Sequence, residues 1–269
     1  MVHTRDVLAY LVAFKSFWAQ VGPSHAVVVC DPSITADDRR VLLAHIPHLE
    51  LRDADEFTHP DIPRGGVWER LFAIGHYSAK QYTLQLDADT ATIGYPDEVI
   101  ACISANRGYI LAEHANTCIE PISASVERAR TMRSQHIQVV AEMSLTSVGL
   151  PDDARYVRGC AGFSGFPQSG DMAERIVDFS RRMQRQLGDR WREWGTEQVS
   201  SNFIVANLPD AQVLPLPKYA AAHQIDANSV FIHFIGPVRF RDRLYERTAV
   251  RIARALQTNA QPLRAASAR

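Results

Sequence analysis

Helical and strand periodicities take turns along the first half of the chain. Val7, Leu11, Phe14 and Trp18 recur at helical spacing, which predicts a core-facing helix across Val7 to Trp18. Lys15 interrupts that stretch, and it falls well short of the ~20 apolar residues a membrane span needs. Ala26 to Cys30 is a continuous apolar run ending in Asp31-Pro32-Ser33, the pattern of a strand buried on both faces. Thr35 stands where an N-cap belongs, with Asp37 and Asp38 in the first turn of the helix it opens, where the helix dipole favours anions. His48 to Leu51 reads as a further short strand. Trp68, Leu71, Phe72 and Gly75 then form one helical stripe between Val67 and Lys80. Strand and helix alternate, so the first half reads as a parallel-sheet α/β unit. Such a unit normally opens with a strand, yet only Met1 to Asp6 precedes the first helix. The expectation is that the chain begins late or that its first strand is vestigial.

Tyr82 to Gly94 is the stretch around which the rest is organised. Leu84 and Leu86 alternate with polar neighbours, and Gly94 and Pro96 punctuate the end, which predicts a strand running into a loop. Asp87 and Asp89 close the strand. Side chains two apart on a strand share a face, so both carboxylates are expected to project from its carboxyl end, where open α/β sheets bind ligands. Like charges held this close repel unless a cation lies between them, and hard oxygen ligands suit Mg²⁺ or Mn²⁺. Taken alone, the Asp-Ala-Asp triplet is equally well read as a polar strand end.

The second half adds candidate strands at Tyr109 to Glu113 and at Val157 to Phe166. In the latter, Gly159, Gly162 and Gly165 mark turns or places where a ligand approaches the backbone. Asp171 to Leu187 reads as a basic helix with a solvated arginine face, and Gly195 to Ala206 as a polar loop entering a short helix. Val230 to Phe240 is an apolar strand holding one histidine, His233, followed by Gly236-Pro237 and then Arg239. A single histidine on an apolar strand is usually a satisfied core residue. Here a tight turn and a guanidinium follow at once, which is what a metal-bound diphosphate requires. Arg239 to Leu256 reads as a helix in which arginines interleave with Leu244, Val250, Ile252 and Leu256. It is either a solvated surface helix or one that lies on an anionic membrane.

Composition narrows the field. With 269 residues, 46% apolar and 22% charged, the chain fits one large or two small soluble domains. A net charge of −1 provides no global field for nucleic acid. Cys30, Cys102, Cys118 and Cys160 lack CxxC spacing and read as reduced thiols of a cytoplasmic protein.

Together these stretches resemble the retaining glycosyltransferases of family eight, the group of glycogenin and the bacterial lipopolysaccharide α-galactosyl- and glucosyltransferases. The resemblance runs from about Ala26 to Phe240, with a weaker trace at Thr4-Arg5-Asp6, which looks like the end of the family's first strand. Glu69-Arg70-Leu71 is similar to the family's Ala-Arg-Leu motif, and Leu86-Asp-Ala-Asp89 to its Asp-x-Asp. Cys160-Ala-Gly-Phe163 is similar to Asn-Ala-Gly-Val, Glu197-Gln-Val-Ser-Ser-Asn202 to Asp-Gln-x-x-x-Asn, and His233-Phe-Ile-Gly-Pro-Val-Arg239 to His-x-x-Gly-x-x-Lys.

The resemblance implies a GT-A type, Rossmann-like nucleotide-sugar-binding domain over residues 1–240. Its central sheet would be mixed and mainly parallel, flanked by helices, with a short or missing first strand; a basic helix and tail would follow over 241–269. It implies that Asp87, Asp89 and His233 bind Mn²⁺ or Mg²⁺ and that Gly236 and Arg239 contact the diphosphate. Arg70 would face the donor sugar or orient the aspartates, Gly162 would belong to the donor site, and Asp6 and Ala88 would lie near the nucleoside. Gln198 would stand closest to the anomeric carbon, with Glu197 the better nucleophile should a covalent intermediate form. The implied donor is UDP-glucose or UDP-galactose and the acceptor a saccharide or glycolipid, with no nucleic-acid partner. The setting would be the cytoplasm or the inner face of a membrane reached through the basic C-terminal segment. The chain departs from the family at Cys160, at Arg239 in place of lysine, at Phe240-Arg241 in place of Pro-Trp, and after Tyr109 to Glu113. There Glu113, His114 and Asn116 are nearby substitutes for an aspartate. These changes fall around the sugar and phosphate contacts, so they bear on donor identity.

Two other readings compete. One is a nucleotide-sugar-binding protein that keeps the fold without activity. The other is a haloacid-dehalogenase-like phosphatase, which also places Asp-x-Asp at a strand end but wants Gly-Thr next, where this chain has Thr90-Ala91.

Overall fold

The structure is a computed structural model and describes residues 1–258; the Ala/Ser/Arg tail after Pro262 lies outside the described residues. Helix α1 spans Val7–Val21 and stops at Gly22, whose φ of 62° is one glycine adopts readily. Strand β1 (Ala26–Cys30), helix α2 (Ala36–His45) and strand β2 (Leu49–Asp53) follow. Thr35 caps α2 in a reciprocal box. Its hydroxyl accepts from the Asp38 amide at 3.1 Å, while the Asp38 carboxylate accepts from the Thr35 amide at 2.9 Å. Next come α3 (Trp68–Ser78), β3 (Thr83–Leu86), β4 (Thr90–Thr92), α4 (Asp97–Ser104) and β5 (Tyr109–Ala112). The middle of the chain holds β6 (Glu120–Pro121), α5 (Ile122–Thr131), α6 (Ile137–Ser144), β7 (Arg155–Tyr156) and β8 (Gly159–Phe166). The described chain ends with α7 (Met172–Leu187), α8 (Thr196–Ala206), β9 (Gln212–Leu214), β10 (Tyr219–Ala221), β11 (Phe231–His233) and α9 (Leu244–Thr258).

Backbone contacts divide these elements into two units. The first comprises Met1–Ala54, Leu86–Ile100 and the described residues from Pro215 onward. Here β1 and β2 run parallel, with Ala26 opposite Leu49 and Cys30 opposite Asp53. Val2 adds one parallel bridge to Cys30, donating its amide to Val29 O at 2.9 Å and accepting from the Asp31 amide at 3.0 Å. Thr4–Asp6 is therefore not a strand end: it is a 3₁₀ turn, closed by the Asp6 amide on His3 O at 2.9 Å, that leads straight into α1. Tyr10, Leu11 and Phe14 of α1 bury against Val28 of β1 and Leu42 of α2. A second sheet of this unit has the order β10-β11-β4, with β11 parallel to β10 and antiparallel to β4.

The basic segment at the C-terminus differs from the continuous helix expected from Arg239. Gly236–Arg243 forms 3₁₀ turns broken at Arg241 and Asp242, and α9 starts only at Leu244. Ile252 is buried with Ala91, Ile232 and Phe234, and Leu244, Tyr245 and Leu256 pack beside them. The apolar side of α9 is thus taken up by the core of its own unit, apart from the exposed Val250. Among the described residues no helix is long and apolar enough to cross a membrane.

The second unit comprises Asp55–Gln85 and Ala101–Leu214. Its main sheet has the order β3-β8-β5-β9, β5 being antiparallel to β8 and parallel to β9. Trp68, Tyr156, Phe166, Phe179 and Trp191 are the aromatic members of its core, with Leu71 and Ile176 among them. Gly159 and Gly165 of β8 make room for the chain itself. A Cβ on Gly165 would come within 2.1 Å of the Tyr82 hydroxyl and 2.3 Å of the Tyr109 ring, and one on Gly159 within 2.8 Å of Leu111 O. At these two positions, expected to mark turns or places of ligand approach, the glycines answer to close packing within the protein.

Candidate metal centre

Strand β3 ends at Leu86, one residue before the first aspartate. Asp87 and Asp89 therefore leave from the loop joining β3 to β4, and strand alternation is not what brings them together. The loop is held by its backbone instead. The Thr90 hydroxyl donates to Asp87 O at 2.8 Å, and the Phe234 amide donates to Asp89 O at 2.8 Å. Antiparallel pairing of β4 with β11 sets Thr90 opposite His233. As a result His233 Nε2 lies 3.3 Å from Asp89 Oδ1 and 3.9 Å from Asp87 Oδ2. One ligand atom from each of Asp87, Asp89 and His233 falls within 4.8 Å of the others. The imidazole is buried, and each aspartate side chain keeps about a quarter of its surface exposed, 25% and 23%.

Burial by itself would raise the Asp89 carboxyl. The hydrogen bond and charge of His233, helped by the Asp89 backbone and the nearby Arg239, outweigh it and hold the pKa below the usual aspartate value. Asp89 is therefore kept ionised, the form a cation requires.

Asp6 and Arg239, both named from the sequence, also meet in this unit, with Arg239 Nη1 3.2 Å from Asp6 Oδ1. The guanidinium lies over two rings, its central carbon 5.0 Å from the centroid of Tyr245 and 5.7 Å from that of Phe240. Its Nε is buried without a hydrogen-bond partner, a charged donor that an anion would satisfy. Gly236 opens the turn at φ 53°, and a Cβ there would meet nothing within 4 Å; the glycine answers to backbone conformation. Ala88 is half-buried against the Val2, Val28 and Tyr10 cluster.

The remaining named residues lie in the second unit. Arg70 Nη2 is 3.2 Å from Glu197 Oε1, which also accepts from the Ser201 hydroxyl at 3.3 Å. Glu197 is 4% exposed, so this is a buried ion pair on α3 and α8. Gln198 follows it on α8 and is half-buried. Gly162 is buried within β8.

Three groups of interest escaped the sequence reading. Tyr245 carried no signal beyond its place in a basic helix. Glu142 and Tyr156 anchor a polar chain. The Tyr156 hydroxyl donates to Glu142 at 3.1 Å and accepts from Asn202 at 3.4 Å, Glu142 pairs with Arg158, and Arg158 Nε lies 3.1 Å from Glu113 Oε2. Burial pushes the Glu142 carboxyl up despite the opposing charge of Arg158. Only the ends of this chain, Glu113 and Asn202, fall in stretches that the sequence singles out.

No family model matches the sequence, and no curated protein matches it. Among solved structures the fold is similar to that of the WbbM bifunctional glycosyltransferase in its apo form, at a TM-score of 0.54 and 13% identity. That likeness covers 87% of this chain and 45% of the other, so this chain spans under half the length of that protein. Mouse xyloside xylosyltransferase 1, also in apo form, aligns at a TM-score of 0.47 and 13% identity over 84% of this chain and 92% of its own. At such identity the first likeness is one of fold, and the mixed sheets flanked by helices fit the GT-A type.

Proposed function

We propose that this chain is a metal-dependent retaining glycosyltransferase of the family-eight kind. It would move a hexose from a nucleoside diphosphate sugar, UDP-glucose or UDP-galactose, to a saccharide or glycolipid. The observation that carries the reading is the convergence of Asp87 and Asp89 with His233, a residue from near the other end of the chain. The donor set fits a divalent ion: two carboxylate oxygens and one imidazole nitrogen suit Mn²⁺, whereas Mg²⁺ favours oxygen and water. When bound, the ion would neutralise charge developing on the departing diphosphate.

The chain's own residues do the rest. Arg239, with an unsatisfied buried N–H, pairs with phosphate oxygens. Glu197 is already engaged by Arg70 and Ser201, which lowers its worth as a nucleophile. This favours attack by the acceptor from the face the diphosphate leaves, with the Gln198 amide oxygen stabilising positive charge on the sugar. Residues 1–240 form the donor-binding domain in this reading. The outward arginines of α9, Arg247, Arg251 and Arg254, with Arg243 just before them, are the part that would approach an anionic membrane from the cytoplasm.

The test is a screen of nucleotide sugars with Mn²⁺, reading donor hydrolysis from the released diphosphate. The reading requires metal-dependent release that Asp87→Asn abolishes, and a glycosyl adduct trapped on Glu197 or Gln198 would replace front-face attack with a covalent route. The competing reading is a binding protein of the same fold without turnover. Calorimetry separates the two, since that protein would bind a nucleoside diphosphate with Mn²⁺ and hydrolyse no donor.

A further inference from the structure

A continuous link of five residues runs through the first unit. The Phe234 amide holds the Asp89 carbonyl at 2.8 Å. The Phe234 ring meets the Tyr245 ring edge to face, with centroids 5.0 Å apart and planes at 79°. Tyr245 lies under the Arg239 guanidinium at 5.0 Å, and Arg239 pairs with Asp6 at 3.2 Å. Tyr245 sits in the first turn of α9, which Thr248 and Ile252 anchor by burial. Its hydroxyl shares a hydrogen bond with Arg239 and faces the charges of Arg239, Asp89 and Asp6. Phe240 supplies the second ring at 5.7 Å and is otherwise 79% exposed.

We infer that Tyr245 and Phe240 bracket the Arg239 guanidinium and hold it in the orientation in which it receives the donor's diphosphate, which makes Tyr245 a positioning residue of the donor site. The inference rests on the glycosyltransferase reading above. It accounts for the arginine at a place where the resembling family has lysine. A planar guanidinium stacks on aromatic faces and still offers its edge N–H groups, whereas an ammonium is a point charge on a flexible stem. It also makes the start of α9 part of the donor site, so the bracket and the metal loop share one support in Phe234.

The experiment is calorimetric titration of the full chain with UDP and with UMP, each with Mn²⁺, for the native protein and for Tyr245→Phe, Tyr245→Leu, Arg239→Lys and the Tyr245→Leu/Arg239→Lys double variant. Loss of a partly desolvated cation–π contact should weaken UDP binding about fivefold in Tyr245→Leu. UMP, which lacks the second phosphate, should stay within about twofold of native. Tyr245→Phe keeps the ring but loses the hydroxyl's hydrogen bond with Arg239, so it should be impaired less than Tyr245→Leu. The double variant should be no weaker than Arg239→Lys alone, because both changes remove one shared contact. Equal loss of UDP and UMP affinity, with Tyr245→Phe as impaired as Tyr245→Leu, would mean that Tyr245 only packs and would overturn the inference. Native UDP affinity in Tyr245→Leu would overturn it as well and leave the transferase reading standing. A native chain that binds no UDP with Mn²⁺ would bring down both.

Discussion

His233 Nε2 stands 3.3 Å from Asp89 Oδ1 because β11 pairs with β4 and sets His233 opposite Thr90, the residue after Asp89. If the pair and Asp87 hold a cation, His233→Ala and Asp89→Asn should each weaken Mn²⁺ binding by at least the roughly 10- to 100-fold that loss of an outer partner already costs at metal sites. Electron paramagnetic resonance titration of free Mn²⁺ measures it, and unchanged affinity in either variant excludes the trio as the site.

Arg70 and Glu197 make a buried pair, with side-chain exposures of 14% and 4%. Removing one partner strands the other charge. Arg70→Ala should cost about 3 kcal/mol of unfolding free energy, and Arg70→Ala/Glu197→Ala less than the sum of its parts. Urea denaturation reads both, and strict additivity would show that the pair contributes nothing as a pair.

Gly165 has no room for a methyl group, because a Cβ would enter the Tyr109 ring, itself fully buried. Gly165→Ala should destabilise by about 3 kcal/mol, the upper part of the usual range for overpacking. A melting temperature equal to the native one would contradict the β5–β8 packing described here.

Glu142 has a folded-state pKa raised above its ordinary 4.5, chiefly by burial. Between that ordinary value and the raised one, the folded chain keeps a proton that the unfolded chain has released. The contribution of Glu142 to stability is therefore present at low pH and declines as pH rises through the window, levelling above it. Glu142→Gln removes the titration, so the difference in urea midpoint between native and variant should change as pH rises from 4.5 into the neutral range. A difference that stays constant across that range would rule the shift out.

Several elements were legible locally. The 3.6-residue recurrence in Val7 to Trp18, the apolar run Ala26 to Cys30 and the Thr35 cap with Asp37 and Asp38 lie within a few residues of what they specify. Reading failed where local and distant demands differ. Thr4–Asp6 looked like the end of a strand but turns, since only Val2 finds a partner on β1. The first part of the helix expected from Arg239 is not continuous α-helix, because the chain is broken at Arg241 and Asp242 before α9 starts.

By itself, then, the sequence determined the alternation of strands and helices, the cap of α2, and which residues carry carboxylate, imidazole and guanidinium groups. Those properties follow from periodicity, backbone preference and side-chain chemistry, all short-range. Tertiary structure decided who meets whom. The aspartates come together with His233 through the pairing of β4 with β11, not through strand alternation. The Glu197 carboxylate is taken by Arg70, Gly165 admits an aromatic ring, and Tyr245 lies beneath Arg239. Each of these depends on register and packing between segments far apart in the chain, which local patterns do not encode because the energies that set them arise only when the segments are brought together.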